Sequence, residues 1–278
     1  QGIMWECPDL FELDGKWVLI MSPIEMERKD NQYWNLNSTL AFIGEVDWKS
    51  GNFQVENFHE IDGGLDFYAP QTCVNDIGER YLVAWQQMWH RNIPTHDLNH
   101  GWAGMMTIPR KLSIKNNLLY QEIPETLTSQ LTIQERFSGQ VDQSELIFSS
   151  AVKQQQYLIL ELEKPEDFEL LYARNATNQQ VVKISYNAGK QVLSLGRERL
   201  GYKIIGKEEP YEDIRHLNIL DAPKSLTLEI LRDINSIELF VNGQTMSMTF
   251  YEKEFGTDIV LTNADKLNIK TLEFYDID

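Results

Sequence analysis

Apolar residues fall in short β-branched and aromatic runs, broken at close spacing by Asp, Asn and Gly. KWVLIMSP (16–23), TLAFIGEVDW (39–48), RYLVAWQQMW (80–89), LTLEIL (226–231) and SIELFVNG (236–243) are examples. Such punctuation predicts strands joined by tight turns. No segment longer than ten residues holds a helical period, beyond a turn or two near 126–137. The pattern predicts an all-β chain.

Over the first 124 residues the pattern repeats. ECPDLFELDGKWVLIMSP (6–23) aligns with YAPQTCVNDIGERYLVAWQ (68–86), matching Pro8 with Pro70 and Gly15 with Gly78. Downstream, EVDWKSGNFQVE (45–56) aligns with KLSIKNNLLYQE (111–122). Each unit is two hairpins, hence four strands in about 60 residues, the size of a β-propeller blade. Two blades leave a ring open, so other sequence or another surface is expected to cover the exposed face.

From about residue 140 the alternation tightens to period two, as in Leu226-Thr227-Leu228-Glu229-Ile230 and Ile237-Glu238-Leu239-Phe240-Val241. One buried and one wet face is the habit of an antiparallel sandwich. Asp233–Ser236 and Asn242-Gly243 read as hairpin turns within it. The expected organisation is a partial propeller over 1–124, a linker over 125–139 and a β-sandwich over 140–278.

Composition narrows the function. The net charge is −17, from 42 acidic and 25 basic residues, a surface that repels polyanions and argues against nucleic acid partners. No apolar run reaches the length of a membrane helix, and no membrane association is expected. Cys7 and Cys73 are the two cysteines, too few for a disulfide scaffold and in keeping with a cytoplasmic setting. His96 and His100 in HDLNH form a pair without an evident third ligand, so neither a metal nor a cofactor is expected.

The clearest chemical candidate is Glu6, at the start of an inner strand of the first unit. There a carboxylate would point into the central channel of a ring and act as a proton donor. Asp66 and Tyr68 occupy the equivalent stretch of the second unit, so two neighbouring blades would send acidic and hydroxyl groups toward one axis. Cys7 beside Glu6 reads as a small buried filler rather than a nucleophile. Trp85, Trp89 and Trp102 are candidates for stacking on sugar faces, although tryptophans between blades commonly belong to the core.

Four stretches, WECPDLF (5–11), GLDFYAPQT (64–72), HGWAGMMTIPRKLSI (100–114) and LRDINSIELFVNG (231–243), carry a resemblance to glycoside hydrolase family 32. The family comprises β-fructofuranosidases, invertases and sucrose-6-phosphate hydrolases, and LVAWQQMWHRNIPTHDLNHGWAG (82–104) looks most like the last group. The resemblance implies a five-bladed propeller followed by a β-sandwich, of which this chain would hold the last two blades. It implies that Glu6 is the general acid/base of a retaining glycosidase, with Asp66, Tyr68, Trp85 and Cys7 near the sugar. Arg91, His96 and His100 are conceivable partners for a substrate phosphate.

In this family the nucleophile lies in an Asn-Asp-Pro-Asn motif and a stabilising aspartate in Arg-Asp-Pro. Neither motif occurs in the 278 residues. The chain is therefore expected to be a C-terminal fragment, inactive alone toward sucrose or sucrose 6-phosphate, and prone to self-association through its open face. The alternative from another class is a non-catalytic carbohydrate-binding β-sandwich protein in which Glu6 is inert.

Overall fold

A computed structural model describes residues 2–149, 151–208, 210–220, 224–251 and 256–277. The chain begins with four strands, β1 (Met4–Leu13), β2 (Lys16–Ile24), β3 (Leu40–Asp47) and β4 (Asn52–Glu60), which pair in that order as an antiparallel sheet. A second sheet repeats the plan with β5 (Tyr68–Val74), β6 (Arg80–Trp85), β7 (Arg110–Lys115) and β8 (Leu118–Glu122). The excursion between β6 and β7 carries one helical turn, α1 (Pro94–Asp97). Turn chemistry explains the hairpins. Asp14-Gly15 and Asn116-Asn117 all hold positive φ, as two-residue connections between twisted strands require.

The repeat in the sequence is also a repeat in irregularity. In β1 the pairing steps from Glu6 opposite Ser22 to Asp9 opposite Ile20, so one residue is extra. In β5 it steps from Tyr68 opposite Trp85 to Gln71 opposite Val83. Both bulges place a residue at positive φ, Cys7 at 49° and Ala69 at 50°. A proline follows each, at Pro8 and Pro70, where the ladder needs no donor. The two sheets then pack face to face. Val18, Ile20, Ala41 and Ile43 of the first meet Leu82, Ala84, Leu112 and Leu119 of the second in one core.

After one turn, α2 (Glu125–Thr128), twelve strands follow among the described residues. They are β9 (Thr132–Gly139), β10 (Glu145–Phe148), β11 (Gln156–Glu163), β12 (Phe168–Arg174), β13 (Val182–Asn187), β14 (Val192–Gly196), β15 (Ile214–Asn218), β16 (Ser225–Asp233), β17 (Ser236–Val241), β18 (Gln244–Thr249), β19 (Asp258–Thr262) and β20 (Asn268–Asp276). They form two six-stranded antiparallel sheets, ordered β10-β19-β12-β13-β14-β15 and β18-β17-β16-β11-β20-β9. Alternate residues such as Leu158, Leu160 and Leu162, or Leu226, Leu228 and Ile230, fill the core between them. Asn242 and Gly243 both hold positive φ and close the β17–β18 hairpin, as the sequence predicts. Among the described residues no helix is long and apolar enough to cross a membrane.

The expected linker is partly strand. Residues 132–139 form β9, which pairs with β20 at the edge of the sandwich. Its side chains are exposed apart from a half-buried Phe137, so no alternation marks it in the sequence.

Two buried charge clusters fix the sandwich to the second sheet. Arg110 on β7 has no exposed side-chain surface and pairs with Asp62 at 3.0 Å and Glu238 at 2.6 Å. It also donates to Gln121 and Thr245, while Phe67 and Phe240 pack against its guanidinium. Asp66 is the centre of the second cluster. Arg91 reaches one oxygen at 3.0 Å and Arg197 the other at 2.6 Å, and Thr249 donates to the latter through both its N–H and its hydroxyl. Burial alone would push the Asp66 carboxyl up, but Arg197 and Arg91 hold it below its usual value. Anchoring Asp66 fixes the backbone two residues before Tyr68.

Candidate active site

The site lies where β1 and β5, the first strands of the two four-stranded sheets, run side by side. Asp9 accepts from the Thr72 N–H at 2.8 Å and the Thr72 hydroxyl at 2.7 Å, and Arg80 donates to that hydroxyl at 2.7 Å. This clamp sets the spacing of the strands just beyond the bulges. On the other side of the bulges, Tyr68 Oη donates to Glu6 Oε2 at 2.5 Å. Glu6 is half-buried and Tyr68 is buried.

Burial first, then the bond to Glu6, pushes the Tyr68 phenol well above its ordinary value. It therefore stays protonated at every working pH and remains a donor to the carboxylate. The Asn37 amide lies on the same hydroxyl, and this side chain is itself buried. Asn37 Oδ1, Ser22 Oγ and the Gln86 amide are buried without a hydrogen-bond partner among the described residues. Ser22 sits opposite Glu6 in the β1–β2 register, and Gln86 follows the residue opposite Tyr68. Polar groups left in this state call for a hydroxylated ligand or ordered water.

Trp85 stands opposite Tyr68 in the β5–β6 register and packs against Trp89 with ring centroids 4.8 Å apart. Gly104 at φ +77° lets the following loop press onto Trp85; a Cβ there would lie 2.9 Å from Trp85 Nε1. Trp89 and Trp102 remain half exposed, as a sugar-stacking surface would be. Cys7 occupies the bulge beside Glu6, and burial, with the neighbouring carboxylate, pushes its thiol up. A raised thiol carries less of the thiolate that nucleophilic attack needs.

Two expected residues are placed elsewhere. Asp66 is fully buried among Arg91, Arg197 and Thr249, and offers no oxygen to a sugar. Arg91 is buried with its guanidinium on Asp66, Glu208 and Asn35, so it has no donor to spare for a phosphate. The His100 ring packs near Trp102, 5.3 Å between centroids. No group of three or more metal-ligating side chains occurs among the described residues. Sequence reasoning did not single out the Asp9–Thr72 clamp or Asn37; Asp9 was visible only as the last residue of Glu-Cys-Pro-Asp.

The described residues thus form two paired four-stranded sheets and a trailing sandwich, with a carboxyl–phenol pair where β1 and β5 run side by side. The profile of the glycosyl hydrolases family 32 N-terminal domain matches residues 1–123, and that of the family 32 C-terminal domain matches 122–276. The chain belongs to glycosyl hydrolase family 32. It is 31% identical over 248 residues to a sucrose-6-phosphate hydrolase of Staphylococcus xylosus, covering 89% of this chain and 49% of that one. To the sucrose-6-phosphate hydrolase of Bacillus subtilis it is 29% identical, covering 87% and 48%. The chain thus spans about half the length of these curated relatives.

Among solved structures, a sucrose-6-phosphate hydrolase from Lactobacillus gasseri superposes with a TM-score of 0.85 at 22% identity, over all of this chain and 55% of that one. A Bombyx mori β-fructofuranosidase superposes with a TM-score of 0.77 at 26% identity, over 98% and 53%. The first likeness is one of fold.

Proposed function

We propose that this chain provides the proton-donor side of an active site that hydrolyses the β-fructofuranosidic bond of sucrose or sucrose 6-phosphate. In this reading the two four-stranded sheets are neighbouring blades of a propeller, with β1 and β5 innermost. Glu6 protonates the glycosidic oxygen as the bond breaks and then takes a proton from the water that releases fructose. Retention requires a second carboxylate about 5–5.5 Å away as nucleophile. The 278 residues hold neither aspartate motif of the family, so this polypeptide alone is expected to release no fructose.

The observation that carries the reading is the Tyr68–Glu6 hydrogen bond, which joins equivalent positions of the two innermost strands. It fixes the orientation of the Glu6 carboxyl through a donor that stays protonated. The sucrose-6-phosphate hydrolases among its relatives support the substrate class. Cys7 and Cys73 are both free thiols, which supports a reducing, cytoplasmic setting.

The test is a chimera in which this chain replaces the matching half of the Staphylococcus xylosus relative. The chimera is expected to release fructose from sucrose or its 6-phosphate, while the 278-residue chain releases none. Fructose release by the 278-residue chain alone, or a folded chimera as active with Glu6→Gln as without it, would overturn the assignment.

A further inference from the structure

Away from the strand starts, a second cavity opens where both four-stranded sheets meet the sandwich. It encloses about 270 Å³ between the end of β4, strand β8, strand β15 and the β17–β18 turn. That volume approaches the lower end of the ~300–1,000 Å³ range of ligand pockets, enough for one or two sugar rings.

Hydrogen bonds within the sandwich and between the domains build the walls. Gln244 donates to the Asn218 carbonyl and accepts from the Leu220 N–H, both at 3.0 Å. Asn31 donates to the Asn218 side chain at 2.8 Å, tying the β2–β3 connection to β15. Gly243 carries no side chain where it meets Tyr120, since a Cβ there would fall 1.9 Å from the ring. Its carbonyl accepts from the Gln121 N–H at 3.0 Å.

The interior has polar capacity to spare. His59 Nε2 accepts from the Leu119 N–H at 3.2 Å, which puts the ring proton on Nδ1. That Nδ1 is buried and has no hydrogen-bond partner among the described residues. Across the cavity, His216 presents an imidazole that bonds Ser194 at 2.7 Å. The polar side chains of the described lining include amides, two imidazoles, Tyr120 and Thr245, and the lining has no lysine or arginine. Such a set can match hydroxyl groups as donor and acceptor but cannot neutralise an anion.

From this lining we infer that the cavity is a second saccharide site, taking a neutral mono- or disaccharide whose hydroxyls bridge β4, β15 and the β17–β18 turn. The inference does not depend on Glu6 or on hydrolysis. A ligand seated there contacts both domains and stabilises their junction by mass action.

The test is an NMR titration of the 278-residue chain with fructose and with sucrose, read on the histidine ring resonances. Saturable shifts of His59 and His216 at millimolar sugar are expected. Fructose 6-phosphate should bind at least about tenfold more weakly, because the lining has no cation. Gln244→Leu should abolish the shifts, and Glu6→Gln should leave them unchanged. Because the primary readout is on the unmutated chain, a folding defect in Gln244→Leu would not obscure it. Unmoved His59 and His216 at saturating sugar, equal binding of the phosphorylated sugar, or loss of the shifts in Glu6→Gln would each overturn the inference. The last result would assign the binding to the strand-start site instead.

Discussion

Glu6 and Tyr68 stand 62 residues apart, at the same step of two equivalent bulged strands, and share a 2.5 Å hydrogen bond. Replacing Tyr68 with Phe deletes the donor and keeps the ring that fills the space. In an active chimera, kcat is expected to fall about tenfold with KM nearly unchanged, because the lost contact orients a proton-transfer group rather than the substrate. Steady-state kinetics on sucrose checks this; a rise in KM at constant kcat would assign Tyr68 to substrate binding.

Arg110 is the largest fully buried side chain and faces both Asp62 and Glu238. Removing one member of a buried ion cluster leaves the others uncompensated, at a cost of about 3–5 kcal/mol. Arg110→Ala is expected to lose that much in urea unfolding. Replacing Arg110, Asp62 and Glu238 together by apolar residues should recover most of it. A loss below about 1 kcal/mol for Arg110→Ala, the range of exposed pairs, would contradict the buried geometry.

His59 and Glu60 are neighbours on β4 with opposite pH linkage. Burial pushes the Glu60 carboxyl up to about 7 from 4.5, helped by Asp62 and opposed by the Tyr33 N–H and Arg215. The folded state then holds a proton that the unfolded state releases, so this group's contribution to stability falls as pH rises from 4.5 to 7. Burial lowers His59 from 6.5 to about 4. The folded state resists protonation there, so stability is lost as pH falls from 6.5 to 4.

Measured against the unmutated chain, Glu60→Gln should therefore gain stability as pH rises, on the order of 2 kcal/mol by pH 8. His59→Phe should gain most below pH 5. Thermal unfolding across pH 4–8 checks both, and melting curves parallel to the unmutated chain would contradict them.

The face of the first sheet turned away from the second presents Trp5, Leu10 and Phe58, which are 45%, 43% and 38% exposed. Trp5 and Phe58 flank Phe42, at 5.7 and 5.4 Å between centroids. Contiguous apolar surface of this kind marks an association site. The 278-residue chain is expected to self-associate through it, with Phe58→Glu shifting sedimentation toward the monomer. A monomer at all concentrations would contradict this.

What was legible in the sequence was local. Asp14-Gly15, Asn116-Asn117 and Asn242-Gly243 announce their hairpins because positive φ suits Gly and Asn. The repeat survived because both bulges need a residue at positive φ before a proline. Asp66 was misplaced because its partners Arg197 and Thr249 lie 131 and 183 residues along the chain, beyond any spacing rule. Strand β9 was missed because an edge strand held by ladder bonds and exposed side chains has no period to read. The second cavity has no sequence signal, since its walls come from five separate stretches.

The most direct measurement is the leaving-group dependence of Glu6→Ala in the chimera. A general acid matters in proportion to the help its leaving group needs. Hydrolysis of sucrose is expected to drop by about 10²–10⁴-fold, while a β-fructofuranoside with a p-nitrophenol leaving group loses far less in its first step, and added azide restores turnover. Equal losses on both substrates, with no recovery in azide, would contradict the assignment of Glu6 as the proton donor.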